Sequence, residues 1–233
     1  MTDCRVHVDY DEFDRNFPTS YDPEQLYDMM PVKEGLLLDL GSGPGLRQVR
    51  FREAGLRVVS VDVSLKQLRD LPGRARVQAN ANVGLPFGEA VFDFVLCSEV
   101  LEHLIEPERC VREIERTLRP GGSVLITTPC LNLPLHFLRS VYRRICGIDD
   151  KLIGHLHLFS TKQIMRMLGP AFEIEETAFR DAFTNFLMWR YGRGRRLSDR
   201  LIRASRRRLW KTILRFLAAQ HLIRARRTGP PQS

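Results

Sequence analysis

Leu36-Leu37-Leu38-Asp39-Leu40-Gly41-Ser42-Gly43-Pro44-Gly45 is the stretch whose reading decides the fold. An almost wholly apolar run leads straight into a cluster of glycines. A short run of this kind predicts a buried strand of a parallel sheet, because both of its faces need cover. Glycine then permits the tight backbone of the following loop and close approach of a ligand to the main chain. The spacing is Gly-x-Gly-x-Gly, which differs from the Gly-x-Gly-x-x-Gly of dinucleotide pyrophosphate sites. No Gly-Lys-Ser/Thr is present, so a nucleotide P-loop is not predicted.

Downstream, the same kind of alternation continues. A helix is predicted over Leu46–Ala54, ended by Gly55, and a valine-rich second strand over Arg57–Asp62. Ser64 predicts a helix cap, its hydroxyl accepting from a first-turn amide, with the helix running through Asp70. Strands are predicted over Arg76–Asn80 and Phe92–Ser98, a helix over Glu106–Leu118 stopped by Pro120-Gly121-Gly122, and a fifth strand over Ser123–Thr128. Strands alternating with helices imply a mostly parallel sheet covered on both faces. Residues 130–157 keep no clean period and read as an insertion on the ligand side. A capped helix over Ser160/Thr161–Leu168, a sixth strand over Phe172–Thr177 and a last strand over His221–Arg226 complete the pattern. Residues 1–35 are polar and aromatic and lead into this frame, with a short helix over Pro23–Met30. At 233 residues with 43% hydrophobic content, the chain predicts a single α/β domain with decorations.

The net charge of +8 hides a split. From Arg190 onward fourteen Lys/Arg face Asp199 alone, so that segment carries +13 and residues 1–189 carry −5. Within 181–218, which read as a basic helical insertion, Arg195–Leu217 sets Leu197, Leu201, Ile202, Leu209 and Ile213 at helical spacing among arginines, with Trp210 near the border. Such a stripe predicts either packing on the domain or contact with an anionic membrane surface; nucleic acid is a further, lower-ranked reading. The apolar residues of 130–157, Leu131 to Tyr142, suit an apolar acceptor or an ordinary lid. Cys4, Cys97, Cys110, Cys130 and Cys146 contain no Cys-x-x-Cys, which predicts free thiols in a reducing cytoplasm. No apolar run reaches transmembrane length and no secretory signal is visible. The predicted location is therefore cytoplasmic, with the basic segment able to rest on the inner membrane face.

Asp39 and Asp62 flank the glycine loop in this reading. A carboxylate at 39 can balance a cationic ligand, and one at the end of the second strand can take both hydroxyls of a ribose. With these residues in place, the chain resembles the class I S-adenosylmethionine-dependent methyltransferases. Leu36 to Gly45 looks like their first motif and Val61-Asp62 like their second. Gly84-Leu85-Pro86-Phe87, Phe92-Asp93-Phe94-Val95, Ser98-Glu99-Val100-Leu101-Glu102-His103 and Leu118-Arg119-Pro120-Gly121-Gly122 resemble the methyltransferase type 11 subgroup. The resemblance implies a Rossmann-like seven-stranded sheet whose last strand is antiparallel. It also implies that Asp39, Gly41, Ser42 and Gly43 face the amino-acid end of S-adenosylmethionine. Asp62 would bind the ribose, Val63, Asn80 and Ala81 would lie at the adenine, and Ser98 would lie under the cofactor. Asn80 and Asn82 stand where the family usually carries an acid, and an asparagine carbonyl oxygen can still accept from the adenine amine.

For the chemistry, His103 and His155 are the candidate catalytic groups, with His157 and Glu102 nearby in sequence. His103 also reads as a helix-start histidine bonded to backbone, and His155 as a lining of the acceptor pocket. His155 and His157 alone have metal-ligand character, but no third ligand is close in sequence, so no metal is predicted. The expected function is methyl transfer to a small or lipid-like acceptor. The rival is a cofactor- or polyanion-binding protein without turnover.

Overall fold

The computed structural model describes residues 23–31, 34–45, 48–69, 71, 73, 75–129, 155–181 and 218–229. In chain order these hold α1 (Pro23–Asp28), β1 (Gly35–Leu40), α2 (Gln48–Glu53), β2 (Leu56–Asp62), α3 (Leu65–Arg69) and β3 (Arg76–Gln78). They continue with β4 (Phe92–Ser98), a 3-10 turn (Leu101–His103), α4 (Pro107–Thr117) and β5 (Leu118–Pro129). After residue 154 come α5 (Thr161–Leu168), a 3-10 turn (Gly169–Ala171), β6 (Phe172–Asp181) and β7 (Ala218–Arg227). The sheet order is β3-β2-β1-β4-β5-β7-β6. β7 is antiparallel to both β5 and β6, and the other pairings are parallel.

Neighbouring residues of a strand point to opposite faces, and the core divides accordingly. Leu38, Val95, Ile126 and Ile223 join one buried cluster with Cys110 and Ile114 of α4 and Ile164 and Leu168 of α5. Leu37, Phe94, Leu125 and Leu222, one residue away in each strand, join a second cluster with Leu26 of α1 and Phe51 of α2. The near-continuous apolar strands of the sequence are thus covered on both sides. The start of β1 is pinned by Asp93, whose Oδ2 accepts from the Leu36 amide at 2.8 Å and whose Oδ1 pairs with Arg119. Burial alone would raise Asp93; the amide and the guanidinium outweigh it and hold its pKa below the ordinary value.

Several element boundaries differ from the sequence reading. Pro120-Gly121-Gly122 was expected to separate α4 from a strand starting at Ser123. Instead α4 gives way directly to β5 at Leu118, and the Pro-Gly-Gly stretch is an excursion within the ladder. Leu118 pairs with Phe92 and Ser123 with Phe94, so the extra residues bulge out without ending the pairing. β3 closes at Gln78, two residues early, because Asn80 opens a turn whose carbonyl accepts from Val83 and Gly84. β6 and β7 extend beyond the expected Phe172–Thr177 and His221–Arg226, since each completes the other's hydrogen bonds. Ser64 does cap α3, accepting from Gln67 at 3.3 Å. Ser160 caps α5 in a reciprocal box with Gln163. Residues 130–154 of the insertion expected over 130–157, and 182–217 of the basic segment expected over 181–218, lie outside the described residues.

β6 and β7 also absorb part of the basic C-terminal charge. Arg224 pairs with Glu175 at 3.1 Å and Glu176 at 3.2 Å, and Arg226 pairs with Glu173 at 2.6 Å. Arg224 further donates to the Met29 carbonyl at 2.8 Å, and Arg227 to the carbonyl of Leu118. These three arginines serve the sheet. Among the described residues no helix is long and apolar enough to cross a membrane.

Candidate functional site

The carboxyl ends of β1, β2, β4 and β5 meet at one edge of the sheet. Chain order reverses between β1 and β4, which opens the crevice where α/β sheets bind ligands. The glycine loop follows β1 into that crevice. Its amides are all spent on its own folding. Gly41 N and Ser42 N donate to the Val61 carbonyl at 2.8 and 3.0 Å, Gly43 N to Asp62 Oδ2 at 2.9 Å, and Gly45 N to the Ser42 carbonyl at 3.2 Å. Pro44 has no N–H. A phosphate cradle needs amides turned outward; Gly41 to Gly45 turn none.

The acids sit on either side of this loop. Asp39 is fully buried, and its Oδ2 accepts from Gln48 Nε2 at 3.2 Å, which fixes the carboxylate from α2. Asp62 accepts from Gly43 N through one oxygen and from Ser64 N at 2.8 Å through the other. A carboxylate has about four lone-pair sites, so each oxygen keeps capacity for a further donor such as a hydroxyl. Ser42 is buried, and its Oγ has no hydrogen-bond partner. Gly41 (φ +70°) leaves no room for a side chain, since a Cβ would lie 2.3 Å from Val100 Cγ2. At Gly43 (φ +52°) a Cβ would meet nothing within 4 Å, so the loop is open there. Two carboxylates, an orphan buried hydroxyl and an open glycine fit a ligand with a cationic end and hydroxyls.

Val63 stands 54% exposed beyond Asp62, and Ala81 is buried in the turn after β3. Asn80 Oδ1 accepts from the amide of Asn82 at 3.0 Å, and Asn82 Oδ1 from that of Ile105 at 2.8 Å. The asparagines therefore shape the 80–84 turn and tie it to the segment before α4. Both oxygens retain a second lone pair.

Ser98, at the end of β4, is buried. Its hydroxyl lies 2.8 Å from Thr127 Oγ1, which donates to Glu99 Oε1 at 3.0 Å. Thr127 has one proton and gives it to Glu99, so Ser98 is the donor to Thr127. Glu99 adopts φ +56°, rare for a residue with a side chain, and its amide is held by the Thr127 carbonyl at 3.0 Å. The next residue of β5, Thr128, donates to Glu102 Oε2 at 3.3 Å. Glu102 is fully buried, and burial first, then the Glu99 carboxylate, pushes its pKa well above the ordinary range.

His103 closes the 3-10 turn, and the ring of His155 lies against it, centroids 4.9 Å apart. The backbone explains the meeting. The Glu102 carbonyl accepts from Leu156 N at 2.7 Å and His157 N at 3.1 Å, clamping the returning chain onto the turn. Both candidate catalytic residues are thus brought together. His157 turns aside to stack on Phe159 at 5.4 Å. His221 in β7 holds the same segment, with Nε2 3.1 Å from the Phe159 carbonyl and Nδ1 3.2 Å from Thr161 Oγ1. A carbonyl only accepts, so Nε2 carries a proton. Cys97 and Cys110 are buried; the Cys110 thiol, then burial, push Cys97 well above the ordinary thiol value, so Cys97 is not poised as a nucleophile.

Sequence reading missed the parts that hold this site from a distance: Gln48 on Asp39, Thr127 and Thr128 on the two glutamates, and His221 on the returning segment. It also missed a clasp under Leu85-Pro86-Phe87. Glu113 Oε2 accepts from Leu85 N at 2.8 Å, while Arg116 donates to the Phe87 carbonyl at 2.8 Å and the Leu85 carbonyl at 3.0 Å. Glu113 and Arg116 pair with each other at 2.8 Å. The only sequence signal for the clasp is their i, i+3 spacing.

Residues 38–126 match the methyltransferase domain family. An uncharacterized methyltransferase of Mycobacterium tuberculosis strain ATCC 25618 / H37Rv is 35% identical over 114 residues, 47% of this chain and 46% of that protein. A ubiquinone biosynthesis O-methyltransferase of Caulobacter vibrioides is 35% identical over 104 residues, 41% of each chain. The match thus spans less than half the length of these curated relatives. The solved structure of an S-adenosylmethionine-dependent methyltransferase from Mesorhizobium loti shares the fold, with a TM-score of 0.60 at 19% identity over 88% of this chain and 96% of that one. With the glycine loop, the β3-β2-β1-β4-β5-β7-β6 sheet and these likenesses agreeing, residues 38–126 match a methyltransferase domain and the chain has the fold of S-adenosylmethionine-dependent methyltransferases.

Proposed function

We propose that the chain binds S-adenosylmethionine in the crevice between β1 and β4 and transfers its methyl group to a small or lipid-like acceptor. One observation carries the reading. The loop from Gly41 to Gly45 offers no outward amide, while the carboxylates of Asp39 and Asp62 flank it. That arrangement repels a pyrophosphate and suits a cation with ribose hydroxyls. The cofactor, when bound, supplies an electrophilic methyl on a positively charged sulfur. Asp39 balances charge at the amino-acid end, Asp62 accepts from the ribose hydroxyls, and the open face of Gly43 admits the ligand. Most of the rate comes from holding the acceptor atom in line with the methyl. His103 and His155 stand on the acceptor side as the polar groups that contact it. Buried Glu102 acts behind them.

The Caulobacter relative, an O-methyltransferase of ubiquinone biosynthesis by name, supports an apolar, hydroxyl-bearing acceptor. The cationic, tryptophan-bearing pattern of Arg195–Leu217 supports peripheral contact with an anionic membrane face. Calorimetric titration with S-adenosylmethionine tests the core of the proposal: saturable binding is expected, weakened at least about tenfold, or 1.4 kcal/mol, by Asp62→Ala. Absence of binding by the intact chain overturns it. Transfer of labelled methyl to an extract then identifies the acceptor, and sedimentation with anionic vesicles, reversed by neutralising Arg206, Arg207 and Arg208, tests the membrane contact.

A further inference from the structure

The side chains of Glu102, His103 and His155 place three ligand atoms within 4.8 Å of one another. Two come from the turn after β4 and one from a segment more than fifty residues later. Glu102 is fully buried, its Oε2 is held by Thr128, and its Oε1 has no hydrogen-bond partner. A buried oxygen without a donor is costly and calls for a cation or a proton. A second carboxylate, Glu99, stands beside it in a strained backbone conformation held by Thr127. The backbone clamp from Leu156 and His157 onto the Glu102 carbonyl fixes His155 against His103. Such preorganisation exceeds what two lining histidines need.

We infer that Glu102, His103 and His155 bind a divalent transition-metal ion at the acceptor side of the crevice. One carboxylate and two imidazoles form a set that suits zinc, iron or manganese and leaves positions open for an exogenous oxygen. Ligands about 2.1 Å from an ion lie at most about 4.2 Å apart, so a side-chain adjustment of about half an ångström closes the set. His157, the partner that sequence spacing offers His155, faces Phe159 and is not part of it.

The inference rests on the proposed methyl transfer and narrows its acceptor to a hydroxyl. An alcohol or phenol oxygen bound to the ion loses its proton to solvent water more readily. The resulting oxygen pair forms the new bond to the methyl carbon as the carbon–sulfur bond breaks, and sulfur keeps the electron pair of the broken bond as a neutral thioether. The histidines then act as ligands, and neither need be the base.

The test uses the full chain, stripped with a chelator and titrated with Co2+ as a spectroscopic probe. About one equivalent is expected to bind with a visible d–d band, displaced by Zn2+. His103→Ala, His155→Ala and Glu102→Gln should each weaken binding at least tenfold, while His157→Gln keeps it. S-adenosylmethionine titration of every variant reports separately on folding and on the cofactor site. Cofactor binding without stoichiometric Co2+ binding by the intact chain overturns the metal site alone. So does Co2+ affinity unchanged in both histidine variants. Loss of both ligands by the intact chain overturns the metal site and the methyl-transfer reading together.

Discussion

Gly41 and Gly43 use the same residue type for opposite reasons. Gly41 is closed in by Val100, and Gly43 opens onto free space. Both have positive φ, which costs a residue with a Cβ about 1–2 kcal/mol. Gly41→Ala adds a collision with Val100, so its total destabilisation is expected at about 2–4 kcal/mol. Gly43→Ala should melt closer to wild type yet lose cofactor affinity, because its methyl enters the space where the ligand approaches. Thermal melts and calorimetry on the two variants separate these effects; equal melts with equal affinity would contradict the assignment. The glycine loop and its flanking Asp39 and Asp62 were legible in the sequence because they occupy one strand-loop unit and the end of the next strand. Gln48 was not, since its contact depends on how α2 packs back on β1.

At the scale of elements, α4 carries the Glu113–Arg116 clasp that holds Leu85-Pro86-Phe87 beside the site. The guanidinium of Arg116, aided by the Leu85 amide and against partial burial, lowers Glu113 from 4.5 to about 2. A carboxylate depressed on folding adds stability that is fully present above its unfolded value and is lost as pH falls through its folded one. The clasp should therefore hold above about pH 5 and fade between about 4.5 and 2. Glu113→Gln should cost about 1–2 kcal/mol at neutral pH, after allowing for partial solvent screening. It should also flatten the acid limb of the stability curve, measured by urea unfolding from pH 7 to 3. An unchanged acid limb would show that the clasp is not what titrates. The alternation of strands and helices made α4 readable, whereas the carbonyls its charges meet lie about thirty residues earlier. The same distance hid the run of Pro-Gly-Gly inside β5: those residues signal a break locally, and pairing with β4 on both sides of them overrides it.

Across the whole molecule, Arg224 joins three parts: β7, the glutamates of β6 and the end of α1 through Met29. It is largely buried, so Arg224→Ala removes a partner of Glu175 and Glu176 and the donor to the Met29 carbonyl. A loss of about 1–3 kcal/mol in urea unfolding is expected, while Arg226→Ala at the exposed rim should leave the midpoint near wild type. A reversed order would mean that the hairpin is held by its rim. In the sequence these arginines count toward the +13 segment and fall in a predicted last strand with no partner indicated. The register of β7 against β6 turns them into cross-strand partners.

What the sequence determined by itself was the sheet, its covering helices and the glycine loop with the two acids that flank it. Those features rest on periodicity and on residues adjacent in the chain, and local chemistry suffices to specify them. Tertiary structure alone decided the rest of the site. Glu102 and His103 meet His155 because one carbonyl clamps the returning chain and His221 secures it from β7. Metal-ligand character depends on distances of a few ångströms between residues more than fifty positions apart. No spacing in a linear sequence encodes such a distance; the packing of β5 and β7 sets it.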